Sequence, residues 1–206
     1  GGDAKTDGER AKAVVDAVCD DPRCLVVGDA NCGWRLNEAI IAARAMENLP
    51  QFYFEQPCAT FEECISVRAR TTLPMVYDEL VHDVPTLLRS VREGGGGAFN
   101  LKVSKVGGLT KAMLMRDLAW ELGVNVTIED TWGGDIVSAT SAHLAASTRR
   151  EQMLTVSFMN DWVKEHVAGY QPKSHNGMGR APDGPGLGID VDTDKLGEPI
   201  AVYRNE

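Results

Sequence analysis

Four charged side chains recur at near-constant spacing in the first half of the chain: Asp29, Glu55, Asp78 and Lys102, separated by 26, 23 and 24 residues. Each closes, or lies near the end of, a short β-branched or aromatic run: CLVVGD (24–29), QFYFE (51–55), PMVYDE (74–79) and AFNLKVS (98–104). Three carboxylates brought to one place would repel unless a cation neutralised them. An all-oxygen donor set selects a hard divalent ion, Mg²⁺ with Mn²⁺ as a substitute, over zinc. A lysine among such groups serves as a base only if it is partly neutral near pH 7, which desolvation and a nearby cation favour. A single Asp or Glu at a strand end is more simply a turn or helix cap; three in register with a lysine point to chemistry.

Something must hold these residues in register. Two further strand-like runs, VNVTIED (124–130) and MLTVSF (153–158), continue the series, and strand starts fall about 23 to 29 residues apart. Between the runs lie segments with apolar residues at helical spacing: AKAVVDAV, NEAIIAARAMENL, FEECISVRA, VPTLLRSV, TKAMLMRDLAWEL and DIVSATSAHLAAS. Repeated strand–helix units predict a parallel sheet covered by helices, either doubly wound or closed as a (β/α)8 barrel. Alternation sets the faces. Phe99, Leu101 and Val103 oppose Asn100, Lys102 and Ser104; Phe52 and Phe54 oppose Tyr53 and Glu55; Val124, Val126 and Ile128 oppose Asn125, Thr127 and Glu129. The apolar set suits covering helices, and the polar set lies near the carboxyl ends of the strands, where barrel enzymes carry their active sites.

Composition narrows the function classes. The chain has 206 residues, 43% hydrophobic and 25% charged, as in an ordinary globular protein. Its net charge of −9 argues against a nucleic-acid surface. No run reaches the roughly 18 apolar residues of a membrane span, and GGDAKTDGER has no apolar signal region, so a cytoplasmic location is expected. Cys19, Cys24, Cys32, Cys58 and Cys64 form no C-x-x-C pair and are read as buried or inert thiols. His82, His143, His166 and His175 are read as ordinary helix or loop histidines.

The strings GDANCGW, YFEQP, VYDE and NLKVSKVGG, in this order, resemble the strand-end motifs of the enolase superfamily, in its muconate-lactonizing-enzyme-like branch. The resemblance covers nearly the whole chain. It implies a modified (β/α)8 barrel represented by strands three to eight, with Asp29, Glu55 and Asp78 binding Mg²⁺ and Lys102 acting as acid/base on one face of the substrate. This superfamily is a standing example of a Lys or His base working with Mg²⁺. Asn31 and Lys105 are expected to touch the substrate or to support the residues that do, Lys105 at the start of the loop after the strand. Relatives in this branch carry a Lys-x-Lys pair on the strand before the Asp29 strand. The chain opens at GGDAKTDGER, so residues 1–206 are expected to be the C-terminal portion of the barrel domain, without the capping domain and first strands. The mandelate-racemase branch has a catalytic His at the end of the seventh strand; VNVTIED has none.

The segment TIEDTWGGDI bears on specificity. Glu129 and Asp130 offer negative charge and Trp132 an aromatic face, a combination suited to an ammonium-bearing substrate. The alternative is helix capping by Asp130 and packing by Trp132. Similar segments occur in family members acting on proline-like amino acids and betaines, among them epimerases of hydroxyproline betaine and dehydratases of cis-3-hydroxyproline. The Gly- and Pro-rich tail, QPKSHNGMGRAPDGPGLGIDVD, reads as extended loops closing the barrel end.

The resulting expectation is a Mg²⁺-dependent enzyme that abstracts the proton α to the carboxylate of a small substrate, forming an enolate and leading to racemisation, epimerisation or dehydration. Muconate-type cycloisomerisation, and a non-catalytic barrel remnant with a binding or scaffold role, stand as the alternatives. A homo-oligomer is expected for the complete protein, without nucleic-acid or membrane partners.

Overall fold

The computed structural model describes residues 2–18, 20–21, 24–93 and 95–204. Cys19 lies outside the described residues. Six strands form one sheet in sequence order: β1 (Val26–Asp29), β2 (Phe52–Glu55), β3 (Met75–Tyr77), β4 (Ala98–Lys102), β5 (Asn125–Glu129) and β6 (Met153–Val156). The β1–β2, β2–β3 and β3–β4 pairings are parallel. A doubly wound sheet reverses its order at a switch point. Here every strand neighbours its successor, which is the winding of a barrel.

Helices α1 (Ala4–Val18), α2 (Leu36–Met46), α3 (Phe61–Arg68), α4 (Val84–Arg92), α5 (Leu109–Glu121) and α6 (Gly134–Ala146) alternate with the strands. The strands are shorter than the runs that announce them. β3 ends at Tyr77, so Asp78 lies one residue past it, and β4 ends at Lys102. Ser104, expected within a strand, sits in the turn at 103–107 and hydrogen-bonds the Thr131 hydroxyl at 2.6 Å. Conversely α1 begins at Ala4, seven residues before the expected pattern. Asp3 accepts from the Thr6 amide at 2.8 Å, an N-cap bond. Gly8 lets α1 lie close against α2: a Cβ there would stand 2.6 Å from the Ala45 methyl.

The chain divides into two compact units, one running to Leu101 and including Leu114–Thr127, the other comprising Lys102–Met113 and the chain from Ile128. In the first, α2 buries Ala39, Ala42, Ala43 and Met46. α3 is capped by the Thr60 hydroxyl, and α4 by Asp83, whose carboxylate accepts from the Thr86 amide at 2.8 Å. Trp34 stacks on Phe54 with centroids 5.6 Å apart, and Phe61 meets Tyr77 at 5.4 Å.

In the second unit a buried carboxylate organises the loops after β6. Asp135 on α6 accepts from Asn160 Nδ2 at 3.1 Å and the Ala168 amide at 2.8 Å, with His166 Nδ1 at 3.0 Å. Burial opposes ionisation of Asp135, but the bonds from His166, Asn160 and Ala168 outweigh it and hold the carboxyl below its ordinary range. From residue 171 onward the chain is mostly irregular, with one short 3₁₀ turn at Thr193–Leu196. Among the described residues, no helix is long and apolar enough to cross a membrane.

Candidate active site

In the first unit, pairing register places the acidic residues. Glu55 stands opposite Val76, and Val76 opposite Ala98, so these three point to one face of the sheet. Asp78 and Asn100 are one pleat further along the same face. Glu55 and Asp78 are 6% and 3% exposed, with carboxylate oxygens within 4.8 Å of one another. Two unit charges that close repel by about 3 kcal/mol or more at an effective dielectric near 20. Asn100 Nδ2 donates to Glu55 Oε1 at 2.5 Å. Gln56, fully buried with a positive φ of 32°, accepts from the Asp78 amide through Oε1 at 2.9 Å and donates through Nε2 to the Cys58 carbonyl at 2.8 Å.

Asp29 ends β1 and lines a cavity of about 370 Å³ alongside α1, Trp34 and Phe52. Its carboxylate accepts from the Asn31 amide at 2.8 Å and from Asn31 Nδ2 at 2.6 Å. The first of these closes an Asx turn, which fits the left-handed φ of 48° at Asn31. Cys32, the next residue, reports the local field: burial, then the charges of Glu79, Asp29 and Asp78, push its thiol up to about 11. Among the described cysteines all are free; Cys58 and Cys64 are buried, while Cys24 and Cys32 are partly exposed.

In the second unit, Lys102 Nζ lies 2.8 Å from Glu129 Oε2, with both side chains about a fifth exposed (20% and 21%). Lys105 sits in the turn after β4, half-buried. Asp130 is buried, accepting from the Gly133 amide at 3.3 Å and from the Ser138 hydroxyl, while its own amide donates to Ser157 Oγ at 2.8 Å. Its carboxylate is therefore engaged at the start of α6. Trp132 is 60% exposed with φ 63° and meets Trp162, 78% exposed, edge-on with centroids 6.3 Å apart.

Sequence reasoning did not single out Gln56, Trp162 or the Glu55–Asn100 bond. Asn100 carried one signal, its place on the inward set of β4 with Lys102. Gln56 carried another, as a polar residue between a strand-end acid and a proline.

Parallel strands in sequence order, with acids and a lysine at their carboxyl ends, define an α/β barrel domain of the kind that supports catalysis. The Enolase C-terminal domain-like family model matches residues 1–195, and the chain belongs to that family. It is 47% identical over 203 residues to a cis-3-hydroxy-L-proline dehydratase of Roseibium aggregatum, covering 98% of this chain and 54% of that protein. It is 28% identical to an o-succinylbenzoate synthase of Geobacillus kaustophilus, over 83% of this chain and 46% of that one. A mandelate racemase/muconate lactonizing enzyme of Roseovarius nubinhibens superimposes with a TM-score of 0.90 at 37% identity, over 98% of this chain and 54% of that one. A second protein of this type from the same organism, complexed with magnesium, gives 0.90 at 30% identity, over 98% and 55%. These neighbours bear out the branch and the barrel fold expected from the motifs. The chain spans about half the length of the curated relative with which it shares 47% identity.

Proposed function

We propose that the chain carries the metal-binding and proton-transfer residues of an enzyme that removes the proton α to a substrate carboxylate. Loss of a β-hydroxyl is the leading outcome and a hydroxyproline-type amino acid the substrate class. The observation that carries this reading is the buried carboxylate pair, Glu55 and Asp78, with oxygens within 4.8 Å. Their repulsion, and the negative field felt by Cys32, fit a hard divalent cation, with Asp29 at the end of β1 as the third carboxylate. The magnesium complex of one structural neighbour supports Mg²⁺ as the ion. Mn²⁺, with the same preference for oxygen, is its expected substitute. The 47% identity to a dehydratase supports the outcome.

When bound, the cation supplies Lewis-acid stabilisation of charge developing on the substrate carboxylate. Lys102 takes the α-proton. Glu129, 2.8 Å away, aims the amine and balances the ammonium that results. The C–H electron pair delocalises onto the carboxylate as an enolate and then becomes the Cα–Cβ π bond as the Cβ–O bond breaks; the hydroxyl takes a proton from solvent and leaves as water, and the Lys102 ammonium returns its proton to solvent. Asn31 orients Asp29. The exposed face of Trp132 suits a substrate ammonium, and Lys105 supports the turn after β4.

The test is cis-3-hydroxy-L-proline with the full-length protein and Mg²⁺ in deuterated water, followed by NMR. Consumption with loss of the signal of the C–H at the hydroxyl-bearing carbon, stopped by EDTA, is expected. Deuterium at the α-carbon with the hydroxyl retained would make the protein an epimerase. Neither exchange nor dehydration, on this amino acid or on proline betaines, would sink the proposal.

A further inference from the structure

We propose that Asn100 is a positioning residue for cation binding, its carboxamide holding the Glu55 carboxylate in the orientation that a divalent ion requires. The inference rests on the reading of Glu55 as a metal ligand. In the sheet, β3 lies between β2 and β4, so Asn100 reaches Glu55 across an intervening strand. Neighbouring strands stand about 4.8 Å apart. A direct bond between next-but-one strands therefore needs both side chains to lean together over the face of β3. In the interior of a barrel, alternate strands contribute side chains to common layers, and this contact is of that kind.

The register explains why Glu55 leans. Its partners at its own level are Asp29 on β1, a second acid that repels it, and on the other side Val76 and Ala98, short and apolar, whose side chains offer no hydrogen bond. One pleat on, the same face carries Asp78, which repels Glu55, and Asn100, which attracts it. A carboxylate only accepts, so the amide nitrogen of Asn100 must face it.

The choice of a neutral donor matters. A lysine or arginine at position 100 would compensate the charge of Glu55 and compete with a cation. A carboxamide fixes one oxygen and leaves the negative charge available. Gln56 acts differently, since it fixes the backbone of Asp78 and not its carboxylate. Asn100 thus sets a buried acid of this face by direct contact. Residues that orient metal ligands in this way typically cost 10–100-fold in affinity when removed.

The experiment measures Mn²⁺ affinity and the bound-ion EPR spectrum in the full-length protein for the wild type, Asn100→Leu, Asn100→Ala and Glu55→Gln, with thermal melts of each. Leucine keeps the branched shape of asparagine while removing the donor, so it carries the test should the alanine variant melt below the assay temperature. Expected are a roughly 10–100-fold weaker Kd and an altered EPR spectrum in the folded Asn100 variants, and a larger loss in Glu55→Gln. A folded Asn100→Leu that binds Mn²⁺ within about twofold of wild type, while Glu55→Gln loses it, would overturn this inference alone. Unchanged binding in Glu55→Gln, or no binding by the wild type, would overturn the metal reading and this inference with it.

Discussion

Lys102 and Glu129 face each other at 2.8 Å, amine to carboxylate, one ending β4 and the other ending β5. Neither is fully buried, so the pair is reachable from solvent, yet each is screened enough for the contact to fix geometry. A base aimed by a carboxylate on the next strand has fewer rotamers than a free lysine. That restriction reduces the entropy lost in reaching a reactive alignment.

Lys102→Ala should reduce turnover by about 10²–10⁴, the range for a general acid/base, while Mn²⁺ still binds, because the lysine is not a ligand. Lys105→Ala should do much less. Steady-state kinetics alongside metal titration separates the two variants, and wild-type turnover in Lys102→Ala with loss in Lys105→Ala would move the assignment to Lys105.

Glu129→Ala removes the acceptor of the Lys102 amine, and Glu129→Gln keeps a neutral one. A hydrogen bond to a charged group is worth about 1.5–3 kcal/mol, so the alanine variant should lose at least about tenfold in kcat, with the glutamine variant between it and wild type. Equal activity in all three proteins would show that the ion pair has no part in aiming the base.

Gln56→Leu should destabilise the first unit. It leaves the Asp78 amide without its acceptor and the Cys58 carbonyl with only the weaker Cys64 thiol as side-chain donor. An unsatisfied buried polar group costs about 1–3 kcal/mol. Chemical denaturation of wild type and variant reads the difference directly. An unchanged midpoint would mean that the Asp78 amide finds another partner.

Asp135 gives a pH dependence with a defined sign. Its folded-state pKa is held below the ordinary value by His166, Asn160 and Ala168 against the opposing effect of burial. Its stabilising contribution is therefore complete above the unfolded pKa, near 3.9, and is lost as pH falls through the lower folded value. Asp135→Asn should lower Tm at pH 7, with the gap to wild type shrinking below about pH 4. A constant gap from pH 7 to pH 3 would contradict this.

Much of the fold was legible because strand parity has a period of two and the acids recur with the strand–helix unit. Asp29 and Glu55 fall on the ends of β1 and β2 for that reason. The limits of the strands were less legible, since MVY and AFNLK stop where the backbone turns and not where apolar residues run out. The early start of α1 was not legible, since the tight approach of Gly8 to Ala45 depends on another helix. The Glu55–Asn100 bond spans 45 residues and an intervening strand, and the Trp132–Trp162 corner joins a loop to the 3₁₀ turn Met159–Trp162. Neither follows from periodicity, because both depend on how separate segments meet.

The register that sets Ala98 beside Val76 and level with Glu55 also constrains how this lineage can drift. On the outer face, Phe54, Met75 and Leu101 are fully buried apolar side chains, and cores tolerate volume-conserving exchanges among such residues. Position 98 is buried on the same face and level as Glu55, so a larger side chain there is expected to crowd the carboxylate. A combinatorial library for new substrate scope would therefore hold 76 and 98 constant and place its diversity at the exposed positions 132 and 162, leaving Asn160, which bonds the buried Asp135, untouched.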